Sequence, residues 1–166
     1  MNDSTNITIR PASRNDLDRI WDNDFEQHPH WPREWKERFV RENEAGMCKT
    51  FGIFDGEAAI GTCTLIFSPA SEQVGGRAEL ANGTTIANVC ALRINKEYEG
   101  QGHVSRLMIL MEQYARERGC TTLTVGVEPK ETRPLAIYLH WGYTDFVRAD
   151  VEDDDGELIL YYAKQL

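Results

Sequence analysis

A chain of 166 residues with 41% hydrophobic and 27% charged residues has the profile of a soluble globular protein with one sizeable core. Its formal net charge of −9 argues against a nucleic-acid partner, which needs a basic face, and suits a small cationic substrate by attraction. No apolar run approaches the roughly 20 residues of a membrane span, and the opening MNDSTNITIR carries no signal pattern, so no membrane partner and a cytoplasmic location are expected.

Four cysteines, Cys48, Cys63, Cys90 and Cys120, are widely spaced with no CxxC pair. They read as reduced, buried apolar groups rather than zinc ligands or a redox couple. His28 and His30 lie close together, but no third or fourth ligand stands nearby. No metal is expected.

Ile7 to Arg10 alternates and ends at Pro11, a first strand. Ser13 to Asp16 is a helix start, and Leu17, Ile20, Trp21 and Phe25 then form one apolar face. After the break QHPHWP, a second helix is predicted from about Pro32 to Ala45, with Trp35, Phe39 and Val40 inward. Gly46 ends it. Thr50 to Phe54 and Glu57 to Phe67 are strands joined by an Asp55-Gly56 turn. Ser68 to Gly83 is polar and glycine-bearing, and reads as a mobile excursion. Thr84 to Ile94 is a long strand.

From Leu92 the sequence runs LRINKEYEGQGHVSRLMILMEQY. Leu92 and Ile94 alternate with polar residues, the turn holds Gly100 and Gly102, and Val104, Leu107, Met108, Met111, Tyr114 and Ala115 then share one helical face. Gly119 caps the end. A strand, a glycine turn and a helix start together make an anion holder. The first turn of a helix carries amides without internal acceptors, its dipole end is positive, and glycine lets the backbone come close. An ordinary tight connection would also use these glycines. Neither a Walker loop nor G-x-G-x-x-G is present, since Ser105 stands at the last glycine position.

Thr121 to Val127 alternates as a core strand. Glu131 to Trp141 is a short helix, with Thr132 as its cap and Pro134 in its first turn. Asp145 to Val151 and Leu158 to Ala163 are strands joined by an acidic turn, EDDDG. The order gives one domain over residues 1–166, an α/β (α+β) fold with a mixed sheet of about seven strands and helices on both faces.

The run LRINKEYEGQGHV resembles the acetyl-CoA loop of the GCN5-related N-acetyltransferase (GNAT) superfamily, close to L-x-V-x-P-x-Y-R-G-x-G-I-G. Leu92, Ile94, Tyr98, Gly100 and Gly102 match. Glu99 stands where the family has Gln or Arg, and Val104 where it has Gly or Ala. The later YLHWGY is similar to the family's Y-x-K-x-G-F, through Tyr138, Gly142 and Tyr143. Glu131 takes the place of the asparagine that usually precedes it.

The resemblance implies a GNAT-like acyl-CoA N-acyltransferase fold with a splayed central strand pair, and an acetyl-CoA-dependent N-acetyltransferase. Acetyl-CoA would be the cosubstrate, without a metal. The acceptor would be a primary amine of a small molecule or a protein, attacking directly in a ternary complex. Backbone contacts from Leu92, Arg93 and Ile94, and a pyrophosphate loop of Glu99, Gly100, Gln101, Gly102, His103, Val104, Ser105 and Arg106, carry over. Tyr138 corresponds to the tyrosine near the thioester sulfur, where a hydroxyl can act as general acid. Packing within its helix is the competing reading.

The base is open among Glu79, Glu128, Asp24 and a water chain. The segment of Phe25, His28, His30, Trp31 and Trp35 would wall the acceptor site, with Asp24 and Glu26 drawing a cation; the tryptophans would equally serve a core. Family members often form homodimers. The alternative function is a non-catalytic acyl-CoA-binding or regulatory domain. An interaction module, pairing through an edge strand at Leu158 to Ala163, is a third.

Overall fold

Ser13 starts the first helix as its spacing predicts. In the computed structural model, which describes residues 6–151 and 156–166, β1 (Ile7–Pro11) leads into α1 (Arg14–Gln27). Ser13 Oγ accepts the Asp16 amide at 3.2 Å, and the Asp16 carboxylate accepts the Ser13 amide at 2.9 Å. This reciprocal cap satisfies two amides that a helix start leaves without partners. There follow α2 (Glu34–Glu44), β2 (Cys48–Asp55), β3 (Ala58–Ile66), β4 (Ile86–Ile94), α3 (His103–Glu117), β5 (Thr122–Val127), α4 (Thr132–His140), β6 (Asp145–Val151) and β7 (Leu158–Gln165). The acidic turn expected at EDDDG falls largely on 152–155, outside the described residues.

The seven strands form one mixed sheet in the order β1-β2-β3-β4-β5-β7-β6. β1 pairs antiparallel with β2, β4 parallel with β5, and β7 antiparallel with both β5 and β6. A parallel pair needs a long crossover, which α3 supplies. β7 is therefore flanked on both sides, and the edge expected at Leu158 to Ala163 belongs to β6 instead.

The chain groups into two compact units. The first comprises the described residues up to Leu65 with Ala91–Gln113, and the second Ile66–Cys90 with Tyr114–Leu166. In the first, Ala12, Leu17, Ile20, Phe54 and Ala59 pack into one cluster with Val40 against it. Trp21 lies with its ring centroid 5.5 Å from both Phe25 and Phe39. Trp35 does not point inward as predicted: it is 40% exposed. Phe39, one turn on along the same face, reaches the core, whereas Trp35 at the start of α2 lies against Trp31.

In the second unit the segment Ser68 to Gly83 is not a loose excursion. Val74, Leu80 and Ala81 are fully buried or nearly so. Burial of a Val or Leu side chain contributes about 1.5–3 kcal/mol, which outweighs the polar composition that suggested mobility. Arg77 ties the segment down, donating to Val74 O at 2.8 Å, Gln73 O at 2.9 Å and the Asp150 carboxylate at 2.6 Å. Thr124 Oγ1 donates to Leu80 O at 2.7 Å. At the start of α4 the cap residue is Glu131 rather than Thr132, and it makes no side-chain capping bond.

Candidate active site

The β4–β5 ladder runs from Ile86↔Thr122 to Val89↔Val125, while β4 continues to Ile94. Two residues past the last recorded pair stands Ala91 with φ +57°. Among the described residues it is the only non-glycine at positive φ, a conformation typical of a bulge that re-aims a strand. After the bend come Leu92, Arg93 and Ile94, all half-buried. The Asn95 amide then donates to Ile60 O at 2.8 Å, and a short 3₁₀ turn, Lys96–Tyr98, follows. The sequence pattern did not reveal that turn. Tyr98 Oη donates to Asp55 at 2.8 Å, which fixes the turn on β2. The same hydrogen bond, with burial and the Asp55 charge behind it, raises the Tyr98 phenol above its ordinary pKa.

Gly100 and Gly102 take φ of +75° and +83°, and a Cβ on either would meet no atom within 4 Å. The backbone there is in a glycine conformation and faces open space. α3 begins at once, with the Arg106 amide donating to Gly102 O at 3.2 Å. By helix geometry the amides of His103, Val104 and Ser105 precede the first intrahelical bond. Leu107, Met108 and Met111 are buried and hold the helix in place. Ser105, Arg106 and Glu99 are exposed, so the Glu99 carboxylate is free to lie in solvent.

His103 is buried, with 7% of its surface exposed. Its Nε2 lies 3.1 Å from Gln101 Oε1, while its buried Nδ1 has no hydrogen-bond partner. A buried polar atom without a partner is costly. Open glycines, unspent amides and an orphaned imidazole nitrogen together fit a diphosphate. This turn, in residues 99–106, brings together the whole loop that the sequence singled out.

Beside it, Arg93 and Asp24 form a bidentate ion pair, Nε to Oδ1 at 2.7 Å and Nη2 to Oδ2 at 2.5 Å. Asp24 is 4% exposed. The guanidinium lies 5.0 Å from the Trp21 ring and 5.3 Å from the Trp31 ring. His28 stacks on Trp31 at 4.0 Å and 9°, with Trp35 5.5 Å from Trp31. His28, Trp31 and Trp35 thus cluster at the surface of α1 and α2, while Phe25 turns to the core beside Trp21. Of the two acids expected to draw a cation, Asp24 is already engaged by Arg93, and Glu26 is exposed. No group of three or more His, Cys, Asp or Glu able to hold a metal occurs among the described residues.

In the second unit Tyr138 is buried at 9% exposure on α4, edge-on to Trp141 at 6.0 Å and to Tyr143 at 5.8 Å. Gly142, at φ +98°, ends the helix against the Lys164 side chain. Of the other carboxylates considered as a base, Glu79 is in an ion pair with Arg148, and Glu128 lies 3.3 Å from Lys130.

A family model described as the acetyltransferase (GNAT) family matches residues 12–143. The chain belongs to this family. No curated protein sequence matches it. Solved structures nevertheless share the GNAT fold over nearly the whole length. An aminoglycoside 6′-N-acetyltransferase complexed with coenzyme A is 16% identical, with a TM-score of 0.71, covering 95% of this chain and 96% of its own. The yncA protein of Salmonella typhimurium, solved with acetyl-CoA as its cofactor, is 15% identical, with a TM-score of 0.69, covering 96% and 94%. A ribosomal-protein-alanine N-acetyltransferase from Brucella melitensis is 17% identical, with a TM-score of 0.68, covering 96% and 99%. At such identities the likeness is one of fold; the GNAT family match identifies the chain as an N-acetyltransferase.

Sequence reasoning did not single out a cavity beside the Arg93–Asp24 pair. Asn23, Gln27, Ile60, Gly61, Asn95 and Lys96 line a cavity together with Asp24, His28, Arg93 and Ile94. Asn23 and Asn95 exchange reciprocal amide bonds at 2.9 and 3.0 Å. The one local signal was an arginine in the middle of an otherwise apolar strand end; its partner on α1 had none.

Proposed function

We propose that this acetyltransferase uses acetyl-CoA to acetylate a primary amine, by direct attack in a ternary complex. The observation that carries the reading is the open turn at Gly100 and Gly102 feeding α3, beside the orphaned His103 nitrogen. Crystal structures of the same fold hold coenzyme A or acetyl-CoA, which supports the choice of cosubstrate. Bound there, acetyl-CoA supplies an acetyl group activated as a thioester.

The amides of Gly100 to Ser105, with Ser105 Oγ and the Arg106 guanidinium, would bind the diphosphate. Leu92, Arg93 and Ile94 would orient the pantetheine arm through their backbone. The bend at Ala91, where the recorded β5 register has ended, supports this assignment. Tyr138 Oη would hold a proton for the departing sulfur, a contribution of about 10²–10⁴-fold for a general acid. Asp24 is poorly suited as a base, because its carboxylate is bound by Arg93; water relay of the amine proton fits better.

Each compact unit draws on two separate stretches of chain, which supports a single domain. No described helix is long and apolar enough to cross a membrane, and none of the four cysteines is in a disulfide. Calorimetry with acetyl-CoA, followed by a thiol-release assay over a panel of amines, tests the reading. Binding with turnover supports it. Binding without turnover on any amine turns it to a non-catalytic acyl-CoA-binding or regulatory domain, and no binding removes it.

A further inference from the structure

The cavity on the first unit has a volume of about 160 Å³, small beside the roughly 300–1,000 Å³ of pockets for drug-sized ligands. It has room for a compact polar group. Its walls carry one carboxylate, Asp24, and two fixed cations, Arg93 and Lys96. Asp24 is consumed by Arg93, both oxygens being engaged. Lys96 is exposed and forms no ion pair among the described residues. Lys96 therefore adds a positive charge, outside any ion pair of the described residues, at a cavity of a protein whose net charge is −9.

The hydrogen-bond inventory points the same way. Arg93 uses three of its five N–H groups, on Asp24 Oδ1, Asp24 Oδ2 and Ala91 O, and two remain. The Asn23 and Asn95 amides each spend one N–H on the other and each keep one. Gln27 adds a further amide. The cavity is thus rich in donors and positive, the chemistry that receives an anionic oxygen pair.

We propose that this cavity is a carboxylate subsite, and that the amines acetylated here carry a carboxylate on a short aliphatic arm. Lys96 supplies the charge, with the spare N–H groups of Arg93, Asn23 and Asn95 fixing the two oxygens. Gly61 forms the floor. A Cβ there would lie 3.1 Å from Arg93 O and 3.3 Å from Ile94 Cγ1, so a side chain would press on the strand that carries Arg93. The proposal rests on the acetyltransferase reading for the fate of the amine, but not for the binding of the carboxylate.

The test compares kcat/KM for β-alanine, γ-aminobutyrate and 6-aminohexanoate with that for their primary amides, and for putrescine and spermidine. The acids are expected to exceed their amides by at least about tenfold, the scale of one charge-assisted hydrogen bond. Lys96→Glu should abolish that preference through KM, with acetyl-CoA affinity unchanged; Lys96→Gln should fall between. A wild type that prefers amides or diamines, or a preference untouched by Lys96→Glu, overturns the proposal while the enzyme reading stands. Ligand-observed NMR with β-alanine is read separately. Binding that Lys96→Glu removes supports the subsite even if no amine is turned over, in which case only the enzyme reading fails. No β-alanine binding at millimolar concentration overturns the subsite.

Discussion

Arg93 grips both carboxylate oxygens of Asp24, at 2.7 and 2.5 Å, across 69 positions of sequence. The pair ties the end of β4 to α1. It also turns a carboxylate that was a candidate base and cation trap into a structural counter-ion. The cost of breaking it follows from its burial. Removing one member of a buried ion pair typically costs about 3–5 kcal/mol, because the other is left uncompensated. Asp24→Asn or Arg93→Met alone should approach the lower end, since the Arg93 side chain is 21% exposed. The double variant should lose less than the two singles together. Urea unfolding of the four proteins measures the coupling; strict additivity would show that the pair contributes no interaction energy.

At Gly102 the prediction separates binding from folding. A non-glycine residue at φ +83° costs about 1–3 kcal/mol of backbone strain. Gly102→Ala should therefore lower stability modestly, its methyl meeting nothing within 4 Å. Gly102→Glu adds a carboxylate where a diphosphate would lie, and should weaken acetyl-CoA binding by more than about tenfold relative to Gly102→Ala. Equal affinities for the two variants would move the anion elsewhere.

Tyr138→Phe keeps the ring against Trp141 and Tyr143 and removes only the hydroxyl. If Tyr138 is the acid, kcat should fall by about 10²-fold or more with acetyl-CoA affinity retained. A variant that loses stability but keeps its rate would leave Tyr138 as a packing residue of α4.

The ion-pair cluster of the second unit predicts acid sensitivity. Burial pushes the Asp150 carboxyl up, but hydrogen bonds from Arg148 and Arg77 outweigh it and hold its pKa below the ordinary value. A lowered folded-state pKa means the stabilisation is complete above the unfolded value, about 3.9. It is lost as pH falls through the lower, folded value. Asp150→Asn should be less stable than wild type at pH 7, and the gap should close at the acid end of a urea series. A gap independent of pH would assign the loss to packing.

Cys63 is fully buried, and burial raises its thiol pKa to about 12. The thiolate is the reactive species, so Cys63 should resist alkylation in native protein at pH 8 and react in urea. Half-buried Cys90 should label first. Rapid native labelling of Cys63, located by mass spectrometry, would show that its strand opens.

What the sequence determined by itself was local. The capping box at Ser13 and Asp16, the turn at Gly100 and Gly102, and the apolar face of Leu107, Met108 and Met111 are each set by residues within a few positions. Backbone sterics and helical period act over that range. These were enough to read the strand, the glycine turn and the helix around residues 92–115, and the GNAT family with them.

Only the tertiary structure decided which charges are paired. Asp24 and Glu79 read as available acids until the fold brought Arg93 and Arg148 to them. Ser68 to Gly83 read as loose until Val74 and Leu80 found a core. Lys96 was one of five lysines until Asn23, Gln27 and Arg93 gathered round the same cavity. Electrostatic pairing and burial depend on distance in space, and a chain's order of residues does not carry that distance.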